Sequence, residues 1–173
     1  MAKLINMEAQ TMSSKFAVER LASGKRVKFV VEPSTDEIVD LVDRFGFVAI
    51  ESMRAEGTIK EVAKDGWDVT GHLSAKVTQR CVITGDPVLE VVDFAIEERY
   101  VRHTETDSDV EVELDGAEPL VDGSIDLGEM VAQSLGVAVT PWPKSAAASE
   151  HLVVEDVIDE HPFAGLAALK KPE

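Results

Sequence analysis

The chain has 173 residues, with 17 Lys+Arg against 33 Asp+Glu and a formal net charge of −16. That length suits one domain burying roughly two-thirds of the surface its unfolded chain would expose, and the sign of the charge argues against a generic nucleic-acid binder. A single cysteine excludes an intramolecular disulfide. No apolar stretch near the start has the form of a secretory signal and none approaches the roughly 20 residues that span a bilayer, so a soluble protein of the reducing cytoplasm is expected.

The charge is unevenly spread. Residues 1–30 carry a net +4 through Lys3, Lys15, Arg20, Lys25, Arg26 and Lys28 against Glu8 and Glu19. Residues 86–126 carry fourteen carboxylates against Arg99 and Arg102, a net −12.

In chain order, residues 1–14 are expected to be a flexible N-terminus, and "KRVKFVVE" (Lys25 to Glu32) predicts a strand closed by Pro33. Ser34 with Glu37 forms a capping-box pattern, and Ile38, Leu41, Val42 and Phe45 recur at helical spacing before Gly46, which predicts a helix over 34–45. "FVAIESMRAEGTIKEVAKDG" predicts a mixed strand ending at the Asp65-Gly66 turn signal.

The clearest periodicity follows. Trp67, Val69, Leu73, Ala75, Val77 and Cys81 occupy odd positions, while Asp68, Thr70, His72, Ser74, Lys76, Thr78 and Arg80 occupy even ones. Strict alternation predicts a half-buried strand. "TGDP" (Thr84 to Pro87) supplies turn chemistry, and the sequence returns with Val88, Val92, Phe94, Ile96 and Tyr100 on one face. A long antiparallel hairpin is expected.

Cys81 falls on the face of Trp67, Val69, Leu73 and Val77, where a thiol packs as a small hydrophobe. A nucleophile would need a base and an orienting partner, which the positions of His72, His103, His151 and His161 do not supply from spacing alone. Structural zinc wants four Cys or His ligands in close pairs, and the sequence has neither CxxC nor HxxxH. The core reading is therefore preferred, with no metal and no cofactor expected.

"HTETDSDVEVELDGAEPLVDGSI" (His103 to Ile125) alternates acid with small polar groups around a short predicted strand, Val110 to Leu114. Its ordinary reading is a solvated loop, and its functional reading is an electrostatic landing surface for a basic partner, carried by Asp107, Asp109, Glu111 and Glu113. The EF-hand pattern is not met.

Asp126 with Glu129 repeats the capping logic, and Leu127, Met130, Val131, Leu135 and Ala138 line a second helix over 126–139 that must end before "TPWPK". Trp142 between Pro141 and Pro143 is either a core lid, the commoner case, or an exposed anchor at an interface. Residues 145–173 are expected to be an acidic linker and a C-terminal docking segment. That segment ends in "HPFAGLAALKK", a short apolar helix with Pro162 at its start and Lys170 and Lys171 at its end, marginal unless it docks on something.

Three stretches in this order, "VTQRCVITGDPV", "IDLGEMVAQSLGVAVTPWPKS" and "HPFAGLAALKK", resemble the YceD family, whose members are described as large ribosomal RNA subunit accumulation proteins. The resemblance spans roughly residues 15 to 171 and gives 15–144 as the YceD-like domain. It implies a cytoplasmic, non-enzymatic factor needed for normal levels of 23S ribosomal RNA, with a gene often adjacent to one for a small basic ribosomal protein. Many relatives have CxxC in the hairpin and some have further cysteines downstream. Here Thr84 stands where the second cysteine would be, so a metal role in relatives does not carry over.

The fold expected is α+β: a twisted antiparallel β-sheet or partly closed β-barrel around the 67–102 hairpin, with two packed helices and a C-terminal helical tail. The function expected is that of a ribosome assembly factor holding a basic ribosomal protein or docking on a precursor large subunit, with no membrane or small-molecule ligand and any rRNA contact indirect. The partner-contact candidates are Asp107, Asp109, Glu111, Glu113, Arg80, Trp142, Lys144 and Phe163. An RNA-binding module is the alternative, though aromatics make up only 5% of the chain. An enzyme is disfavoured, since neither a phosphate-cradling glycine loop nor HExxH or GxSxG occurs.

Overall fold

The computed structural model describes residues 4–6, 9–21, 25–63, 65–102 and 116–148. The hairpin forms as the alternation requires. Strand β5 (Gly66–Arg80) pairs antiparallel with β6 (Pro87–Val101) over its whole length. Its odd residues Trp67, Val69, Leu73, Ala75 and Val77 are buried, and on β6 Val92 and Ile96 are buried with Phe94 and Tyr100 packed against them.

Strand β3 (Arg26–Val31) and strand β4 (Ala49–Ala63) extend the sheet antiparallel from β5. The strand expected to be mixed is β4, and its register shift between Ile50 and Ser52 explains why. Glu51 and Ser52 are both exposed there, so the buried set changes from even (Ile50) to odd (Met53, Ala55, Ile59). Short strands β1 (Leu4–Asn6) and β7 (Ala117–Pro119) pair parallel at the two ends, giving the order β1-β3-β4-β5-β6-β7. The sheet is thus mixed rather than wholly antiparallel, and it curls as a half-barrel. A second, two-stranded antiparallel sheet joins β2 (Lys15–Ala17) to β8 (Ser124–Asp126).

The curl has a local cause. Phe29, Gly57, Gly71 and Ile96 lie side by side across four strands. A Cβ on Gly57 would sit 2.8 Å from the Phe29 ring and closer still to the backbone of Thr70, so the missing side chains let the ring close over the sheet.

Helix α1 (Thr35–Phe45) starts at the full Ser34/Glu37 capping box and stops at Gly46 in the left-handed conformation (φ 68°). Helix α2 (Leu127–Ala138) starts at Asp126, whose carboxylate accepts from the Glu129 N–H. The return half of that box is absent, because the Glu129 carboxylate takes the Arg44 guanidinium through two 2.7 Å hydrogen bonds instead. This ties α2 to α1, and the Arg44 hydrogen bond holds Glu129 below the usual carboxylate range. Leu127, Met130, Val131, Ala132 and Leu135 bury α2 against the inner sheet face.

The described residues before β2 are tied to the sheet and to α2. Besides β1, Gln10 exchanges backbone hydrogen bonds with β3 (its N–H to Val30 O and Glu32 N–H to its O, both 2.8 Å), and Ser14 O accepts from Leu127 N–H. The C-terminal helical tail lies outside the described residues.

Candidate functional site at the hairpin end

At the far end of β5 and β6 the chain turns through Cys81 to Asp86. Cys81 N–H donates to Asp86 O at 2.7 Å and Gly85 N–H to Cys81 O at 2.9 Å, with Gly85 supplying a positive φ of 77°. The segment after α2 then wraps this turn. Val82 N–H donates to Pro143 O at 3.0 Å, and the Thr84 and Ser145 hydroxyls meet at 3.2 Å. Glu90 accepts from Thr140 N–H and from the Thr140 hydroxyl (2.7 Å), while Gln79 donates to Glu90 at 2.8 Å and to Thr140 O at 3.1 Å.

Cys81 is buried, 3% exposed, on the inward parity of β5 as expected. Its surroundings are more polar than a core position, because it lies beyond the end of the apolar cluster and its sulfur accepts N–H groups from Ser145 (3.3 Å) and Thr84 (3.4 Å). The Ser145 N–H, followed by the Thr84 contact, pulls the thiol down to about 6. The sulfur thus joins the turn to the wrapping segment. Among the described residues no group of three or more His, Cys, Asp or Glu is placed to hold a metal ion.

The outside of this junction is apolar and cationic. Trp142 is 70% exposed, which corrects the core-lid reading: Pro143 beside it is buried and fixes the backbone, leaving the indole in solvent. Val82, Ile83 and Leu89 are exposed large hydrophobics of the same end, and Arg80 and Lys144 are exposed on the two segments that the Val82–Pro143 bond joins. Three of the eight partner-contact candidates, Arg80, Trp142 and Lys144, therefore lie exposed at the same end of the hairpin.

The others do not join it. Asp107, Asp109, Glu111, Glu113 and Phe163 lie outside the described residues. The basic N-terminal edge is remote: Arg26 and Lys28 pair with Lys60 and Thr58, whose partners on β5 are Asp68 and Thr70, so they sit about 33–40 Å along the strand from Arg80. Sequence reasoning missed Gln79, Glu90, Thr140 and Ser145. Gln79 and Glu90 carried a signal, since each is polar on the inward parity of its strand next to apolar residues (Val77 and Cys81, Val88 and Val92); Ser145 carried none.

The stretch that builds this end also decides kinship: residues 69–170 match the family described as "Large ribosomal RNA subunit accumulation protein YceD". The chain belongs to the YceD family. The match starts within β5 and takes in the Cys81 turn, β6, α2 and the wrapping segment. The YceD description points to a role in accumulation of large-subunit ribosomal RNA. Neither a curated protein nor a solved structure matches the chain. Among the described residues no helix is long and apolar enough to cross a membrane.

Proposed function

We propose that this YceD protein supports accumulation of large-subunit ribosomal RNA as a non-enzymatic assembly factor of the cytoplasm, by holding a basic ribosomal protein or docking on a precursor large subunit. The observation that supports the binding role is Trp142, exposed next to a Pro143 whose carbonyl accepts from Val82 N–H, at an end that also exposes Val82 and Ile83. An exposed indole at an end that also exposes apolar side chains has the character of an interface anchor. The net charge of −16 supplies the complement of a basic partner and disfavours loose attachment to phosphate. Asp107, Asp109, Glu111 and Glu113 are the acidic landing residues of this reading, and Phe163 a further contact.

Direct binding of rRNA is the second reading. It is favoured by Arg80 and Lys144 at the same end as the exposed indole, the pairing of aromatic and cation on which single-stranded bases stack. A tagged pull-down from growing cells, with and without ribonuclease and at two salt concentrations, separates the two. A basic ribosomal protein that survives ribonuclease, is lost at high salt and is lost with Trp142→Ala supports the first. Release of all large-subunit material by ribonuclease supports the second and removes the first.

A further inference from the structure

Strand β6 is fifteen residues long, but β7 covers only Arg99 to Val101 of its outer edge. Backbone alternation shows which residues face that edge. Val101 O accepts from Leu120 N–H on the β7 side, whereas Arg102 N–H donates to Asp65 O on the β5 side. Counting back in twos, Leu89, Val91, Asp93, Ala95 and Glu97 direct their N–H and C=O groups outward, and the even residues bond to β5. Among the described residues nothing pairs with the backbone of these five. Within the described residues they form an unpaired edge of the kind onto which an extended chain adds as a further strand.

The side chains specify the added strand. Residues 88–98 contain Glu90, Asp93, Glu97 and Glu98 and no lysine or arginine. Leu89 and Val91 are 58% and 68% exposed on the solvent side, beside Asp93 and Glu97 on the same face. His72 reaches Asp93 from β5, Gln79 and Thr140 occupy Glu90, and Lys76 stands opposite Val91; among the described residues Glu97 and Glu98 have no such engagement. An incoming strand therefore meets apolar side chains near Leu89 and carboxylates near Glu97. A second copy would set these carboxylates against their own kind.

We propose that the free edge of β6 binds an extended, lysine- or arginine-rich polypeptide segment by strand addition. The site rests on the reading that the partner is a basic protein, and gives that partner its mode of binding. Glu90 connects the edge to Thr140, so the added strand would run alongside the Trp142 surface.

The test uses the full chain, isotopically labelled, and a capped eleven-residue peptide of alternating lysine and valine, with a glutamate-valine peptide as control. Amide exchange at Leu89, Val91, Asp93, Ala95 and Glu97 should slow on adding the lysine peptide and not the control. The even residues should be slow throughout. Ala95→Pro removes one outward N–H without breaking the β5 ladder and should weaken the lysine peptide about tenfold, while Ala95→Val retains affinity. Asp93→Lys with Glu97→Lys should abolish binding while far-UV circular dichroism is unchanged, so the proposal stands or falls even if the proline variant misfolds. Binding without slowing of the odd amides overturns the proposal, as does slowing that depends on protein concentration without peptide, which would make a second copy the occupant. In the cellular pull-down, a basic protein still captured by Ala95→Pro overturns the edge and leaves the assembly-factor reading intact. Loss of every basic partner from wild type overturns that reading, while the peptide result still judges the edge.

Discussion

Gly128→Ala sets two effects of opposite sign against each other. Alanine is favoured over glycine in a helix interior by about 1 kcal/mol, so on propensity alone the change stabilises α2. Gly128 is buried, however, and a Cβ there would fall inside the van der Waals shell of Met12 O and within 2.7 Å of Met12 Cα. Backbone cannot rotate away as a side chain can, so residues 9–14 must lift. Lifting them breaks the two Gln10 bonds to β3 and the Leu127 N–H to Ser14 O bond, about 3 kcal/mol in all at about 1 kcal/mol each. The net expectation is destabilisation by about 2 kcal/mol, or a melting point lower by about 4–8 °C for a chain of this size. Urea unfolding followed by circular dichroism measures it. Gly136→Ala on the same helix is the control: its Cβ would approach only the edge of the Phe45 ring (2.9 Å), which can turn, so that variant should stay within about 1 kcal/mol of wild type. A Gly128→Ala protein as stable as wild type would refute the claim that the N-terminal segment is clamped on α2.

Gly57→Ala should cost about 1–3 kcal/mol in the same unfolding assay, because its Cβ meets the Phe29 ring and the Thr70 backbone together; an unchanged midpoint would detach the curl from this glycine row. The Cys81 thiol, at about 6 in the fold, lies below its ordinary value near 8.5, so its contribution to stability is fully present above about 8.5 and is lost as pH falls through 6. The stability margin of wild type over Cys81→Ser should therefore widen between pH 6 and 8.5, and a margin flat with pH would show that the Ser145 and Thr84 N–H groups do not favour the thiolate. Trp142→Ala should leave the unfolding midpoint within about 0.5 kcal/mol of wild type while removing partner capture, since the indole is mostly in solvent; a large loss of stability would restore it to the core.

Where local chemistry decides the structure, it was legible. Ser34, Glu37 and Gly46 mark both ends of α1, and the odd–even alternation from Trp67 to Cys81 gives the strand and its buried face together. The bulge at Glu51 was not legible, because a one-residue register shift is decided by the pairing of β4 with β5 rather than by β4 alone. Glu129 shows a local rule losing to a tertiary contact: the spacing from Asp126 is right for a capping box, but a bidentate Arg44 from another helix outbids the backbone N–H. Trp142 was ambiguous for a comparable reason. A proline-flanked indole can point either way, and what decides is which neighbouring proline is buried, here Pro143 against the Cys81 turn. The wrapping segment was the least legible part, since Ser145 acts through its backbone N–H, which any residue but proline could supply.

The open edge and the acidic charge have a common explanation. A long strand whose outer backbone row is unpaired among the described residues, with Leu89 and Val91 exposed, is a template for self-association unless something opposes it. On β6 the opposition comes chiefly from Asp93 and Glu97, which set carboxylate against carboxylate when a second copy pairs antiparallel about Asp93, Ala95 or Glu97. The same carboxylates attract a lysine-rich strand. Like-charge exclusion and opposite-charge selection are thus a single property of this edge. Reversing only Asp93 and Glu97 should remove the selectivity and weaken the barrier to self-pairing together, whereas a solubilising charge unrelated to binding would alter the second without the first.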